Sequence, residues 1–181
     1  MNIISSIKDS ATELKNTRSL TEAALLTAIS IVLGSYCKII ISPTMEIRFG
    51  FLGLAMSGMF LGPVTGGIIG AVADIITYFI RPNGFFFPGF TLNQFIYGFV
   101  FGLFFYKKKV TVKRVILSKL VLTVIISLVL NPIWLNMMYG SELFALPRLI
   151  KAVVLFPVEC GLLYFMAITA EKIRSGKKSY S

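Results

Sequence analysis

Long apolar runs separated by short polar breaks divide the chain. A helix crosses a bilayer with about 20 mostly apolar residues. On that template the first span is Leu20 to Ile41, with Thr21 and Glu22 at its polar start. Ser42 to Arg48 is polar and contains Pro43. A short second span, Phe49 to Leu61, runs into Gly62-Pro63. That pair stops one helix and starts the next. The third span is Val64 to Ile80, and Arg81-Pro82-Asn83-Gly84 follows as turn chemistry. An aromatic segment, Phe85 to Phe90, leads into the fourth span, Thr91 to Tyr106. A basic loop, Lys107 to Arg114, precedes the fifth, Val115 to Met138. After a loop from Tyr139 to Pro147, the sixth span runs from Arg148 to Ile173. The pattern predicts an all-α membrane bundle of six transmembrane helices. Residues 1–19 read as a cytoplasmic amphipathic segment without the apolar core and cleavage site of a signal peptide. Residues 20–174 form the bundle and 175–181 a basic cytoplasmic tail.

Charge orients this map. The positive-inside rule places lysine and arginine in cytoplasmic segments. With both termini cytoplasmic, 13 of the 18 positive residues fall inside: three in the N-terminal segment, six from Lys107 to Lys119, and four near the C-terminus. Lys38, Arg48, Arg81, Arg148 and Lys151 fall outside. Composition agrees: 56% of the 181 residues are apolar and 14% charged, against roughly 25% charged in a soluble chain. The net charge of +10 therefore reflects membrane orientation rather than nucleic-acid binding.

Several chemistries lack their residues. There is no histidine, and so no HExxH metal motif and no Ser-His-Asp triad. No GxxxxGK[ST] phosphate loop occurs, so any ATP-driven step needs another subunit. Cys37 and Cys160 lie in apolar stretches and read as small hydrophobes. No cofactor, metal or catalytic residue is expected.

Ionisable groups inside a membrane are expensive and are functional candidates by default. Asp74 in the third span and Glu159 in the sixth meet that description. Their structural alternative is to tie helices together. The outer side gathers further polar and aromatic groups: Glu46, Arg48 and Phe49 before the second span, then Tyr78, Arg81 and Phe85, Phe86 and Phe87. Asn93 opens the fourth span beside Gln94, Asn131 and Trp134 end the fifth, and Arg148 and Lys151 open the sixth. An interfacial belt explains Trp134 well and Asn131, beside Pro132 in an apolar helix, less well. Aromatics with a few convergent polar groups line small-molecule pockets. Such a mixture suits a flat, polar, partly anionic ligand. Small residues recur at four-residue spacing in Ala24 and Ala28, Gly62, Gly66 and Gly70, and Gly98 and Gly102, where they permit close helix packing.

Three stretches carry a family resemblance: Arg48-Phe49-Gly50-Phe51-Leu52, Gly58 to Asp74 (GMFLGPVTGGIIGAVAD), and Phe86 to Leu92 (FFPGFTL). Together they resemble the substrate-binding S components of energy-coupling factor vitamin transporters, and within them the folate-specific group. The resemblance implies a six-helix subunit of the bacterial plasma membrane that binds its vitamin from outside beneath the loop after the first helix. It also implies a coupling subunit and two ATPases as partners, and delivery by toppling in the membrane. Ala24-Leu25-Leu26-Thr27-Ala28 matches the family's AxxxA contact with the coupling subunit.

Under that resemblance, folate enters beneath Ser42 to Phe49. Its pterin stacks among Phe85 to Phe87 or on Trp134, with its donors on Asp74 or Glu159. Its carboxylates meet Arg81, Arg148 or Lys151. The alternatives are an S component for thiamin, riboflavin or pantothenate, and a structural membrane protein or membrane enzyme.

Overall fold

The computed structural model describes residues 3–42, 45–82, 85–140 and 146–179, and the side chains of these except 3–4, 38–48, 139, 146–151 and 174–179. The chain is a helical membrane bundle. A short helix α1 (Ile3–Glu13) leads into α2 (Thr17–Ser35), whose first turn is capped by the Asn16 side chain accepting from the Arg18 N–H at 3.1 Å. Strands β1 (Lys38–Ser42) and β2 (Met45–Arg48) form an antiparallel hairpin, Lys38 opposite Arg48. Helices α3 (Gly50–Leu61), α4 (Pro63–Ile80) and α5 (Pro88–Phe105) follow. Then α6 (Val112–Leu122), a π-helical stretch (Thr123–Leu130) and α7 (Asn131–Tyr139) make one continuous rod, and α8 (Leu146–Ser179) completes the chain.

The first expected span is corrected. Helix α2 stops at Ser35, and the β-branched run from Ile39 to Ile41 pairs as a strand instead of extending the helix. The other spans begin and end within a few residues of the expected positions. Helix α8 runs on beyond the sixth expected span, to Ser179. At 34 residues this helix is about 50 Å long, well beyond the roughly 30 Å of a hydrocarbon core.

Among the described residues, four helical segments are long and apolar enough to cross a membrane: Thr17–Ser35, Pro63–Ile80, Val112–Met138 and Ala152–Ile173. Their outer surfaces are apolar. Phe79 is 78% exposed and Phe165 76%, which only lipid can cover without cost. Helix α3 has 12 residues and is too short to span alone. It is the central helix, packed on α2, α4 and α5 with Leu54, Ala55 and Met59 buried. Its neighbours, rather than its length, satisfy it.

Glycine controls how closely α3, α4 and α5 meet. A Cβ added to Gly66 would stand 2.8 Å from the Gly58 Cα and 2.9 Å from the Gly98 carbonyl oxygen. One added to Gly98 would strike the Gly66 carbonyl. The three backbones therefore touch, as small residues at four-residue spacing allow.

The α3–α4 turn is closed from below by α1. Gly62 takes φ of +88°, and Pro63 starts the next helix. Such a turn leaves carbonyls at the end of α3 and N–H groups at the start of α4 without helical partners. Ser10, fully buried, serves both. Its Oγ donates to the Leu61 carbonyl at 2.8 Å and accepts from the Thr65 N–H at 3.1 Å. Thr65 Oγ1 in turn donates to the Ser10 carbonyl at 2.8 Å. Nearby, Lys107 Nζ pairs with Asp9 at 2.8 Å, and this hydrogen bond raises the lysine's pKa above its ordinary value. The N-terminal segment is thus a docked helix.

Candidate ligand cavity

At the other end of α3, α4 and α5 the helices separate around a cavity of about 510 Å³. Gly34 of α2 and Gly50 of α3 stand at its edge beside the hairpin. From α4 come Gly70, Asp74 and Thr77, one helical turn apart or nearly so. From α5 come Phe90, Asn93, Gln94 and Tyr97. The rod of α6, the π-helical stretch and α7 supplies Lys119, Ile126 and Asn131, and α8 supplies Leu155 and Glu159.

The π-helical stretch has a geometric consequence. Twelve residues of ideal α-helix would leave Lys119 and Asn131 about 120° apart around the rod. The wider turns of residues 123–130 change that phase, and both side chains line the cavity. Pro132, which has no N–H to give, sits where α-helix resumes.

Two polar groups of the cavity wall are built into hydrogen-bonded sets. Asp74 Oδ2 accepts from Thr91 Oγ1 at 2.7 Å. Asn93 accepts from the Trp134 indole N–H at 3.1 Å and donates to Asn131 Oδ1 at 2.7 Å. With its carbonyl oxygen held by the indole and its amide committed to Asn131, Asn93 orients the Asn131 amide toward the cavity. A third set is ionic. Lys119 Nζ lies 2.7 Å from Glu159 Oε2, and its ammonium sits over the Phe51 ring at 4.3 Å and the Tyr97 ring at 5.8 Å.

Of the residues singled out in the sequence, Asp74, Asn93, Asn131 and Glu159 converge on this cavity. Trp134 stands behind Asn93 rather than in the lining, with Phe87 against it at 5.6 Å between ring centres. Phe86 packs on Tyr78 at 5.1 Å, Phe85 is exposed, and Phe49 precedes α3 outside the lining. Arg81 donates to the Ser35 carbonyl at 2.8 Å and covers the Tyr36 ring, which ties the ends of α2 and α4 together. The side chains of Glu46, Arg48, Arg148 and Lys151 lie outside the described residues. Ala24 and Ala28 are exposed on one face of α2.

Lys119 lies elsewhere than its charge suggests: numbered among the positive residues of the cytoplasmic side, it is 3% exposed and belongs to the cavity. Its separation from Arg114 by an apolar run, Val115-Ile116-Leu117, was the available signal. Tyr97 carries no signal beyond its aromatic character, and Phe51 only its place in the Arg48 to Leu52 stretch.

The family model for the ECF transporter substrate-specific component matches residues 18–171. The folate transporter FolT of Clostridium novyi (strain NT) is 43% identical over 125 residues, which cover 68% of this chain and 73% of that protein. The folate transporter FolT of Leuconostoc mesenteroides is 29% identical over 174 residues, covering 92% and 93%. Among solved structures, FolT bound with folic acid matches with a TM-score of 0.77 at 38% identity, over 84% of this chain and 95% of that one. The S component for biotin from an ECF-type ABC transporter matches with a TM-score of 0.63 at 23% identity, over 86% and 90%. At that identity the second structure speaks to the fold alone.

Proposed function

The chain belongs to the substrate-specific components of ECF transporters, and from that premise we propose that it is a folate-binding subunit, taking up folate from outside the cell. It is a multi-pass protein of the bacterial plasma membrane. The observation that carries the proposal is a cavity of ligand size whose wall sets two carboxylates among aromatic rings and oriented amides. A volume of about 510 Å³ falls in the range of small-molecule sites. Similarity to folate transporters, one solved with folic acid bound, supports the choice of ligand.

A pterin presents N–H donors along one edge and flat faces above and below. The donors match the carboxylates of Asp74 and Glu159, and the faces match Phe51, Phe90 and Tyr97. Asn131 supplies the complementary amide. The glutamate carboxylates of folate are repelled from two acids and remain at the mouth, near the hairpin and the α8 start where Arg148 and Lys151 occur in the sequence. Two of the expected roles change accordingly. Trp134 acts through Asn93, and Arg81 braces helices.

No bond is made or broken in this role, so the subunit is not an enzyme. Delivery requires a coupling subunit and separate ATPases, with Ala24 and Ala28 on the exposed face of α2 as the contact. Both termini are cytoplasmic in this arrangement, in six spans.

Calorimetric titration of the purified chain with folate tests the proposal. Asp74→Asn is expected to weaken folate by roughly 100-fold, since a hydrogen bond to a charged group contributes about 1.5–3 kcal/mol. Unchanged affinity would remove Asp74 from the site. Displacement of folate by thiamin, riboflavin or pantothenate at equal concentration would replace the ligand while keeping the scaffold.

A further inference from the structure

The ion pair at the cavity is out of place as a device for stability. Burying two charges costs several kcal/mol each, and well-packed apolar residues usually do as well or better. Helices α6 and α8 already meet through a core in which Leu122 and Leu163 are fully buried. Yet Lys119 is 3% exposed and Glu159 23%, and both line the cavity. Among the described residues, the charged groups of the lining are Asp74, Lys119 and Glu159. Ionised, these described groups amount to two negative charges and one positive, a net of one negative charge.

From this arithmetic of charge we propose that Lys119 is a specificity-determining residue: held by Glu159, Phe51 and Tyr97, it cancels one carboxylate so that the cavity selects a neutral, donor-bearing heterocycle over a cationic one. The inference rests on the folate reading and refines it. Lys119 is nearly fully buried, so its charge is screened less than a surface charge, and one uncompensated unit beside it changes selectivity more than it would on a surface. Discrimination is then a difference between two affinities, achieved by making the wrong ligand's charge unfavourable. Lys119 also positions Glu159, because a 2.7 Å contact fixes one oxygen and directs the carboxylate plane. Its ammonium is confined by two ring faces, which accept a cation without offering it a competing hydrogen bond.

The test compares folate with its 4-amino analogue, a 2,4-diaminopteridine whose ring is more basic and takes up a proton between carboxylates. Both are titrated by calorimetry against the full chain in detergent at one mildly acidic pH. The variants change the net cavity charge stepwise. Glu159→Gln makes it zero, Lys119→Met makes it minus two, and the double variant returns it to minus one. The ratio of folate to amino-analogue affinity is expected to follow that charge. Lys119→Met should move the ratio toward the amino analogue by roughly tenfold or more, about 1.4 kcal/mol. Glu159→Gln should move it the other way, and the double variant should return it to the wild-type value.

A purely structural pair predicts something different: both ligands weaken together in each variant and the ratio stays constant. That result overturns the inference and leaves the folate reading intact. Wild-type protein that binds neither pteridine overturns the folate reading, and the inference falls with it. Should Lys119→Met fail to fold, the step from Glu159→Gln to the double variant carries the same test, because it removes the lysine without stranding a carboxylate. No change of ratio across that step is equally decisive against the proposal.

Discussion

The two ends of α3, α4 and α5 are built from opposite kinds of residue. Near the α3–α4 turn, Gly58, Gly66, Gly98 and Gly102 bring three backbones into contact, and Ser10 seals the turn from below. Toward the hairpin, the same helices carry Asp74, Asn93 and Tyr97 and separate around a cavity. Helix α4 shows the change along its own length. Gly66 admits a neighbouring backbone, and Asp74, two turns later, lines the cavity. The closed end supplies rigidity so that the open end can hold polar side chains at fixed separations. In a bilayer, where apolar association gives little drive between helices, that division falls to packing of small residues and to hydrogen bonds.

The contrast can be broken from the closed end most severely. Gly98→Val places side-chain carbon against the Gly66 carbonyl, and neither backbone can yield without moving a helix. It should cost about 3 kcal/mol or prevent folding, read as a lowered melting temperature and lost monodisperse yield. Ser10→Ala removes the oxygen that serves Leu61 and Thr65 while changing almost no volume. A loss of about 1–2 kcal/mol in melting experiments is expected, with folate affinity unaltered. If affinity fell as well, the two ends would be mechanically coupled and the division proposed above would be too simple.

At the open end, Trp134→Phe keeps the ring against Phe87 and deletes the N–H to Asn93. Folate should weaken by roughly fivefold, about 1 kcal/mol, because Asn93 and then Asn131 lose their fixed orientation. An unchanged affinity would show that packing alone positions those amides.

The smallest effect belongs to the pair of Lys107 and Asp9, which is half exposed and screened. Its sign is nevertheless defined. The pairing raises the lysine pKa in the folded state, so its contribution is present below the ordinary lysine value of about 10.4 and is lost as pH rises through the folded value. The melting difference between wild type and Lys107→Ala should be small and constant from neutral to mildly alkaline pH, then vanish in strong alkali. A difference that grew with pH would contradict the assignment.

Much of the architecture could be read before any coordinates. Span length, the Gly62-Pro63 break and the glycine spacing act locally or through lipid, so they leave a linear trace. Asp74 and Glu159 stood out because a carboxylate in an apolar run is costly wherever it points. Two other features were not legible. The run from Ile39 to Ile41 is as apolar as a helix end, and only pairing with Ile47 and Glu46 makes it a strand. Arg81, judged by charge alone, suits a ligand carboxylate, yet the end of α2 lies close enough to claim it.

By itself, then, the sequence determined that the chain is a membrane bundle, where its helices break, and which acids lie within the apolar spans, since each follows from local composition and the cost of charge in lipid. The tertiary structure alone decided which sides of the helices face one another. It set Lys119 on Glu159, turned Asn131 to the cavity through the π-helical stretch, and put Trp134 behind Asn93. Those outcomes depend on helix phase and crossing geometry, which are settled by packing between residues far apart in the chain.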